Sequence, residues 1–359
     1  MVLAVCASSS TFALEDNLPS INAVPEQPKS GQAFSLLVKG TWPDGCGATL
    51  KSVQRTGFDI TVTMERREAI CTQALVPYTL PVNLFANGET AMAGVYRVRY
   101  QITHSFEPNP RLLAFQLVGV TSSDQRPSEV EAGYWVADPN GSFVTSGSGV
   151  GFLIERQGNA VVASANIYDQ RGVATWYFGS GPIIGNAMGG QFYDVRGGQA
   201  LFSPYRPPSS TEAAGKLQIE FTSPARAVAY FTQPADGGLL SELKLMPISI
   251  TRFNFAYASV YDSYVGKFVL YGESNGQPVQ VFNFERQRFG ASSVTGFRDA
   301  ASGHILVCNI ESSGSDPLPL SCVLEKDGVQ VASFDQLGYA RLFGKTTAGA
   351  PLTLERAGP

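Results

Sequence analysis

The chain has 359 residues, a net charge of −4 and only 16% charged residues, against 37 Gly, 22 Pro, 22 Phe and 14 Tyr. That length exceeds one ordinary core, so two or three domains are expected. Few charges with many turn formers and aromatics predict strands and tight turns. The charge is spread out, without the basic stripe that a nucleic-acid partner needs, and no run of about 18 apolar residues follows the first dozen, so no membrane-spanning helix is expected.

Residues 1–13 read as a truncated signal-like segment. An apolar run passes into small residues and ends with Thr11 and Ala13 at the positions a signal peptidase reads, although no Lys or Arg precedes the run. Cleavage after Ala13 removes Cys6 and leaves four cysteines, an even count that points to disulfides outside the cytosol. Three connectivities are possible for four cysteines. The short spacings favour Cys46 with Cys71 and Cys308 with Cys322, each closing a loop worth about 3 kcal/mol. Zinc lacks partners, since the chain has only His104 and His304 and no CxxC. The expected location is therefore secreted or periplasmic.

Residues 14–122 read as an immunoglobulin-like β-sandwich. Ala33–Lys39 is mostly apolar. Pro43-Asp44-Gly45 is a turn, because Pro presets φ and Gly accepts a positive one. Phe58–Met64 alternates strictly, with Phe58, Ile60, Val62 and Met64 on one face. Ala69–Cys71, Tyr78–Leu84, Gly94–Ile102 and Leu112–Val118 continue the pattern, with Asn87-Gly88 as a further turn. Residues 123–132, polar and without aromatics, form the expected linker.

Residues 133–252 form the first half of a larger antiparallel β-sandwich or barrel unit. Gly133-Tyr134-Trp135 opens it, Ser146-Gly147-Ser148-Gly149 follows, and Val161–Ile167 leads through the turn at Tyr168–Gly172 into Ala174–Phe178. Asp169 and Gly172 suit a tight hairpin, and Trp176 and Tyr177 must then point to opposite faces. One helical turn is expected around Leu239–Leu245. The pattern Gly-x-Trp, Ser-Gly-x-Gly, Tyr-Asp-x-x-Gly-x-x-x-Trp-Tyr over residues 133–181 resembles a repeat of uncharacterised secreted proteobacterial proteins, and Gly31, Trp42–Cys46 and Cys71 resemble a domain that often precedes it. The resemblance implies export and an all-β fold and brings no known activity. Residues 253–356 form a second, related half: the hairpin 265–284 is set against 161–178 at an offset of roughly one hundred residues, and Asp327-Gly328 makes a later hairpin turn.

No catalytic set emerges. A Ser-His-Asp arrangement would need His104 or His304, and neither carries a flanking signature. Ser146-Gly147-Ser148-Gly149 lacks the glycine two before the serine that a nucleophile elbow requires, and Gly147-Ser148-Gly149-Val150-Gly151 has neither the glycine spacing nor the following helix of a phosphate loop. Carboxylate hydrolysis could draw on Glu155, Asp169, Asp194 or Asp262. No acidic run suits calcium, and no cofactor or metal is expected. An outer-membrane barrel is disfavoured by the prolines, the cysteine loops and a C-terminus that does not read as a strand. The remaining handle is aromatic: Trp135, Trp176, Tyr177 and Tyr193 as a stacking platform. The sequence thus points to an exported, non-catalytic binding or adhesion protein for an extracellular glycan or protein surface. A secreted hydrolase and a purely structural envelope protein are the alternatives.

Overall fold

The computed structural model describes residues 18–357, apart from 68–69, 86–87, 106, 123–128, 139–140, 144–148, 169–170, 237, 257–258, 273–277, 289–294 and 310–317. The signal-like segment, most of the expected linker, Ser146-Gly147-Ser148 and Asp169 lie outside the described residues. The chain forms two compact units. One comprises the described residues up to 127 with 157–220 and 229–247; the other comprises the described residues of 128–156 with 221–228 and 248–359.

The first seven strands are β1 (Ser20–Val24), β2 (Ser35–Trp42), β3 (Thr49–Thr56), β4 (Asp59–Arg66), β5 (Val76–Asn83), β6 (Gly94–His104) and β7 (Glu107–Val120). They make a sandwich of two sheets, ordered β1-β2-β5 and β3-β4-β6-β7. The period-two pattern fills the space between them: Leu36 and Val38, Ile60 and Val62, and Tyr96, Val98 and Tyr100 are all fully buried. β4 and β6 run parallel, whereas β1–β2, β2–β5, β3–β4 and β6–β7 are antiparallel. Cys46 and Cys71 are joined in a disulfide. Asp44 takes the Cys46 N–H (3.1 Å) and an Arg66 guanidinium, so it fixes the turn that presents Cys46. Asp44 is grouped with the two sulfurs, but these are bonded to one another and leave no thiolate for a metal.

Next come β8 (Gly133–Ala137), β9 (Gly151–Gln157), β10 (Ala160–Tyr168), β11 (Ala174–Ile184), β12 (Ala187–Arg196), β13 (Ser210–Ser223), β14 (Arg226–Pro234) and β15 (Leu243–Arg252). Each neighbours the next, and β15 returns to β8, closing an up-and-down barrel. After a 3₁₀ turn at Val260–Tyr264 follow β16 (Gly266–Gly272), β17 (Pro278–Arg288), β18 (Thr295–Asp299), β19 (His304–Asn309), β20 (Ser321–Lys326), β21 (Val329–Leu337), β22 (Arg341–Thr346) and β23 (Pro351–Arg356), which close in the same order. Closure removes the sheet edges that would invite aggregation, and eight strands leave an interior that side chains can fill. Thus the two expected halves are two closed eight-strand barrels. The hairpin chosen to register them is misaligned, since β16–β17 opens the second barrel whereas β10–β11 is the third and fourth strand of the first.

The second barrel packs Phe268, Phe284, Phe297, Leu306, Leu324, Phe334, Leu342 and Leu354 inward, with the Cys308–Cys322 disulfide bridging β19 and β20 among them. Lys267, Glu285, Arg298 and Lys345 point outward. That is the reverse of a barrel whose outer face meets lipid. The last residues, not expected to read as a strand, do follow one, β23. No helix among the described residues is long and apolar enough to cross a membrane. Asp327 and Gly328 both adopt positive φ (53° and 78°) between Lys326 and Val329, the geometry of a two-residue hairpin. The helical turn expected at Leu239–Leu245 is absent: a turn at 239–240 runs into β15, and the helical residues lie at Val260–Tyr264. Residues 129–132, expected as linker, are held in place. The Glu131 carboxylate accepts the N–H groups of Tyr339 (3.1 Å) and Ala340 (2.8 Å), and Arg341 pairs with Glu129 and Glu355.

Within the first unit, the sandwich meets β11–β14 along a polar and apolar seam. β7 is an edge of its sheet. Buried Gln218 of β13 substitutes for the missing strand: its Oε1 accepts the Leu117 N–H (2.7 Å) and its Nε2 donates to the Phe115 carbonyl (3.0 Å). Beside it, Arg97 forks onto Asp59 (3.0 and 2.9 Å) and donates to Glu220 (3.0 and 3.1 Å), which also accepts the Tyr230 hydroxyl (3.2 Å). The Phe115 and Tyr230 rings meet at 5.0 Å. A Cβ on Gly119 would stand 1.9 Å from the Ile184 carbonyl oxygen, so the backbones approach this closely only because that position is glycine.

Candidate functional site

The hairpin β10–β11 and its neighbour β12 carry the aromatic residues singled out in the sequence. Period two sends Trp176 and Phe178 outward and Tyr177 inward. Tyr193 is the direct cross-strand partner of Phe178. The three outward rings are 45%, 40% and 37% exposed, respectively for Trp176, Phe178 and Tyr193. Along β11 two same-face residues lie about 6.6 Å apart, and a cross-strand pair about 5 Å apart, so the rings form one stripe. Tyr168, also exposed, shares this outer face at the end of β10. The cross-strand partners of the stripe are Asn166 (to Trp176), Ser164 (to Phe178) and Ala213 (to Tyr193). None is charged. Large rings held out on the sheet and flanked by hydroxyl and amide groups form an apolar surface with polar handles.

The stripe keeps two of the four residues expected in the platform. Trp135 is excluded by its burial: it is 0% exposed, its Nε1 donates to the Glu131 carbonyl (3.2 Å), and Phe221 packs edge-on against it. Tyr177 faces the barrel interior, stacked on buried Phe192 at 5.9 Å. Phe178 was the residue missed. Its signal was available in the sequence, because it lies two residues from Trp176 and must share its face.

Of the chemical candidates, Asp194, Asp262, His104 and His304 have local structural partners. Asp194 is buried next to Tyr177 and is held by Arg196. Asp262 caps the 3₁₀ turn by accepting the Ser259 N–H (2.9 Å). Glu155 is exposed on β9. His104 is bonded to Arg111 (2.8 Å). His304 lies within hydrogen-bond distance of the Ser302 hydroxyl (2.9 Å), but that hydroxyl donates to Asp299. The serine therefore sits between acid and base, and Asp299 also takes the Asn283 and Ser302 N–H groups (3.0 Å each). This is a turn-fixing network; a hydrolase needs the histidine between serine and acid. Burial holds the His304 imidazole below its ordinary pKa.

A second feature of the first unit is a groove of about 620 Å³ beside the seam, lined by β1, β7 and β11–β13.

Residues 36–107, from β2 into β7, match the family described as the ORF11 beta-sandwich domain. No curated protein matches the chain. The family match agrees with the sandwich seen here and does not extend over the two barrels. The two disulfides indicate an oxidising, extracytoplasmic environment.

Proposed function

We propose that the chain is an exported binding protein that holds an uncharged glycan against the outer face of its first barrel. The observation that carries this reading is the exposed stripe of Trp176, Phe178 and Tyr193, flanked by Asn166 and Ser164. A sugar ring presents a C–H face that stacks on aromatic rings and hydroxyls that bond to amides and hydroxyls. The lack of a cation among the stripe's cross-strand partners favours neutral sugars over acidic ones. Binding is favoured over turnover because the buried and hydrogen-bonded acids and histidines described above are committed to turns and strands.

The test is a screen of the exported protein against neutral and acidic glycans and cell-wall fragments, scored in parallel for binding and for hydrolysis. Trp176→Ala and Phe178→Ala should each weaken glycan binding at least tenfold while leaving the fold intact. Phe192→Ala, which empties a buried site on the inner face, should instead cost about 3–5 kcal/mol of stability. Hydrolysis abolished by changing Glu155, Asp169 or His304 would replace this reading with the hydrolase. Glycan binding unaffected by the stripe variants would remove the stripe as the site.

A further inference from the structure

The groove beside the seam lies between the edges of two sheets. β1 is the terminal strand of the order β1-β2-β5, and β7 is the terminal strand of β3-β4-β6-β7. Consecutive residues of both strands line the groove, Ile21-Asn22-Ala23 and Gln116–Gly119. Successive side chains of a strand point to opposite faces, so a cavity that touches several in a row is meeting the backbone edge. Just past β1 the two edges are tied together: the Ser30 N–H donates to the Thr121 carbonyl (2.7 Å) and the Thr121 N–H to the Pro28 carbonyl (3.1 Å). Upstream of that tie, residues of both strands line the groove. Gln218 already takes the Leu117 N–H and the Phe115 carbonyl on the edge of β7. The edge of β1 has no strand hydrogen-bonded along its outer side among the described residues. Pro19 and Pro25 bracket it, so it offers a five-residue template and no more.

The opposite wall suits a slender occupant. Gly189 and Gly190 of β12 bring backbone rather than side chains to it. Two charges of opposite sign line the groove, Glu26 just beyond β1 and Lys216 on β13, both exposed and neither in an ion pair among the described residues. A volume of about 620 Å³ is within the range of sites that enclose a ligand.

We infer that this groove captures an extended peptide segment of another protein, which adds a strand to β1 and carries a basic residue to meet Glu26 and an acidic residue to meet Lys216. Main-chain hydrogen bonds to the β1 edge supply the pairing, and the two charges select the partner. The site is separate from the aromatic stripe and does not depend on it.

The experiment selects a phage-displayed library of random heptapeptides on the intact protein, then titrates the enriched peptides by fluorescence anisotropy. Gly189→Leu tests the slot. A Cβ at Gly189 meets nothing closer than Gln218 Cγ at 3.6 Å and Gln116 Nε2 at 3.9 Å, so the longer side chain enters the groove from an unstrained backbone. Enriched peptides should bind Gly189→Leu at least tenfold more weakly. On Lys216→Glu, selection should exchange the acidic residue for a basic one. Peptides N-methylated at alternate amides should lose binding, because they cannot complete the ladder. Failure to enrich any peptide, or peptides that bind Gly189→Leu or survive N-methylation with unchanged affinity, would overturn the inference. If Gly189→Leu does not fold, Lys216→Glu and the N-methylated peptides decide the question. Loss of peptide binding in the stripe variants Trp176→Ala and Phe178→Ala would overturn the claim of a separate site.

Discussion

Replacing Gln218 by Ala tests how the sandwich is seated on β13. The side chain is 2% exposed and makes two hydrogen bonds to the edge of β7, at 2.7 and 3.0 Å. Its loss strands the Leu117 N–H and the Phe115 carbonyl, both on residues that are themselves buried. An unsatisfied buried backbone group costs about 1–3 kcal/mol. Two would cost about 2–6 kcal/mol, and the adjoining groove, which Gln218 also lines, admits water to lower the figure to about 2–3. Urea unfolding measures the loss, and hydrogen exchange at the Leu117 amide locates it. Gln218→Glu separates hydrogen bonding from packing. It keeps an acceptor for Leu117 but turns a second oxygen toward the Phe115 carbonyl, so the buried carboxyl has a raised pKa. Such a group binds its proton more tightly when folded. Its stability is greatest in acid and falls as pH rises from the unfolded carboxyl value through the folded one. Gln218→Glu should therefore approach the wild type at low pH and resemble Gln218→Ala at neutral pH. A loss below about 0.5 kcal/mol for Gln218→Ala, with the Leu117 amide still protected, would refute the capping role.

Arg97→Ala should be costly at neutral pH, by about 3–5 kcal/mol, because it leaves Glu220 buried beside Tyr230 without its cation. Burial already raises the Glu220 carboxyl above its ordinary value, with Arg97 opposing. Removing Arg97 raises it further, so the deficit should shrink on acidification as Glu220 protonates; a pH-independent deficit in urea titrations would contradict this. The Asp59 carboxyl is held below its ordinary value, chiefly by its bond to Arg97. Its contribution is present above the unfolded carboxylate pKa and lost as pH falls through the folded one, and this loss should disappear in Arg97→Ala. The two disulfides should differ in reducibility. Cys46 is exposed, whereas Cys308 and Cys322 are buried in the second barrel. Mild reductant on the folded protein should open Cys46–Cys71 first and reach Cys308–Cys322 only on unfolding, as mass spectrometry of alkylated peptides would show. Replacing Cys308 and Cys322 together should cost about 3 kcal/mol for the loop of 14 residues.

The fold was legible where burial imposes a pattern. Ile60, Val62 and Met64 lie in the core as their alternation requires, and both cysteine pairs close as their short spacing suggests. β1 and β3 were not anticipated. β1 is five residues between prolines, and β3, Thr49–Thr56, is an edge strand that is largely solvent-facing, so neither carries a periodic apolar signal. The exposed aromatic stripe was half legible for the same reason. Alternation separates Trp176 from Tyr177 but cannot say which of them faces the interior, and the cross-strand register that sets Tyr193 against Phe178 depends on hairpin geometry beyond the local pattern. Trp135 looked equivalent to Trp176 in composition, and only the closing of β8 onto β15 buries it. The seam was invisible, because Gln218 and Glu220 lie more than a hundred residues from Leu117 and Arg97.

Glycan capture on the outer face of β10–β12 can be watched directly through the tryptophans. Of the three in the chain, Trp42 is 5% exposed, Trp135 fully buried and Trp176 exposed. Acrylamide quenching of the folded protein therefore reports almost solely on Trp176. Saturation with a glycan that the protein binds should shield that fluorescence, and Trp176→Phe should abolish both the accessible component and its response. A bound glycan that leaves the quenching unchanged would contradict the account.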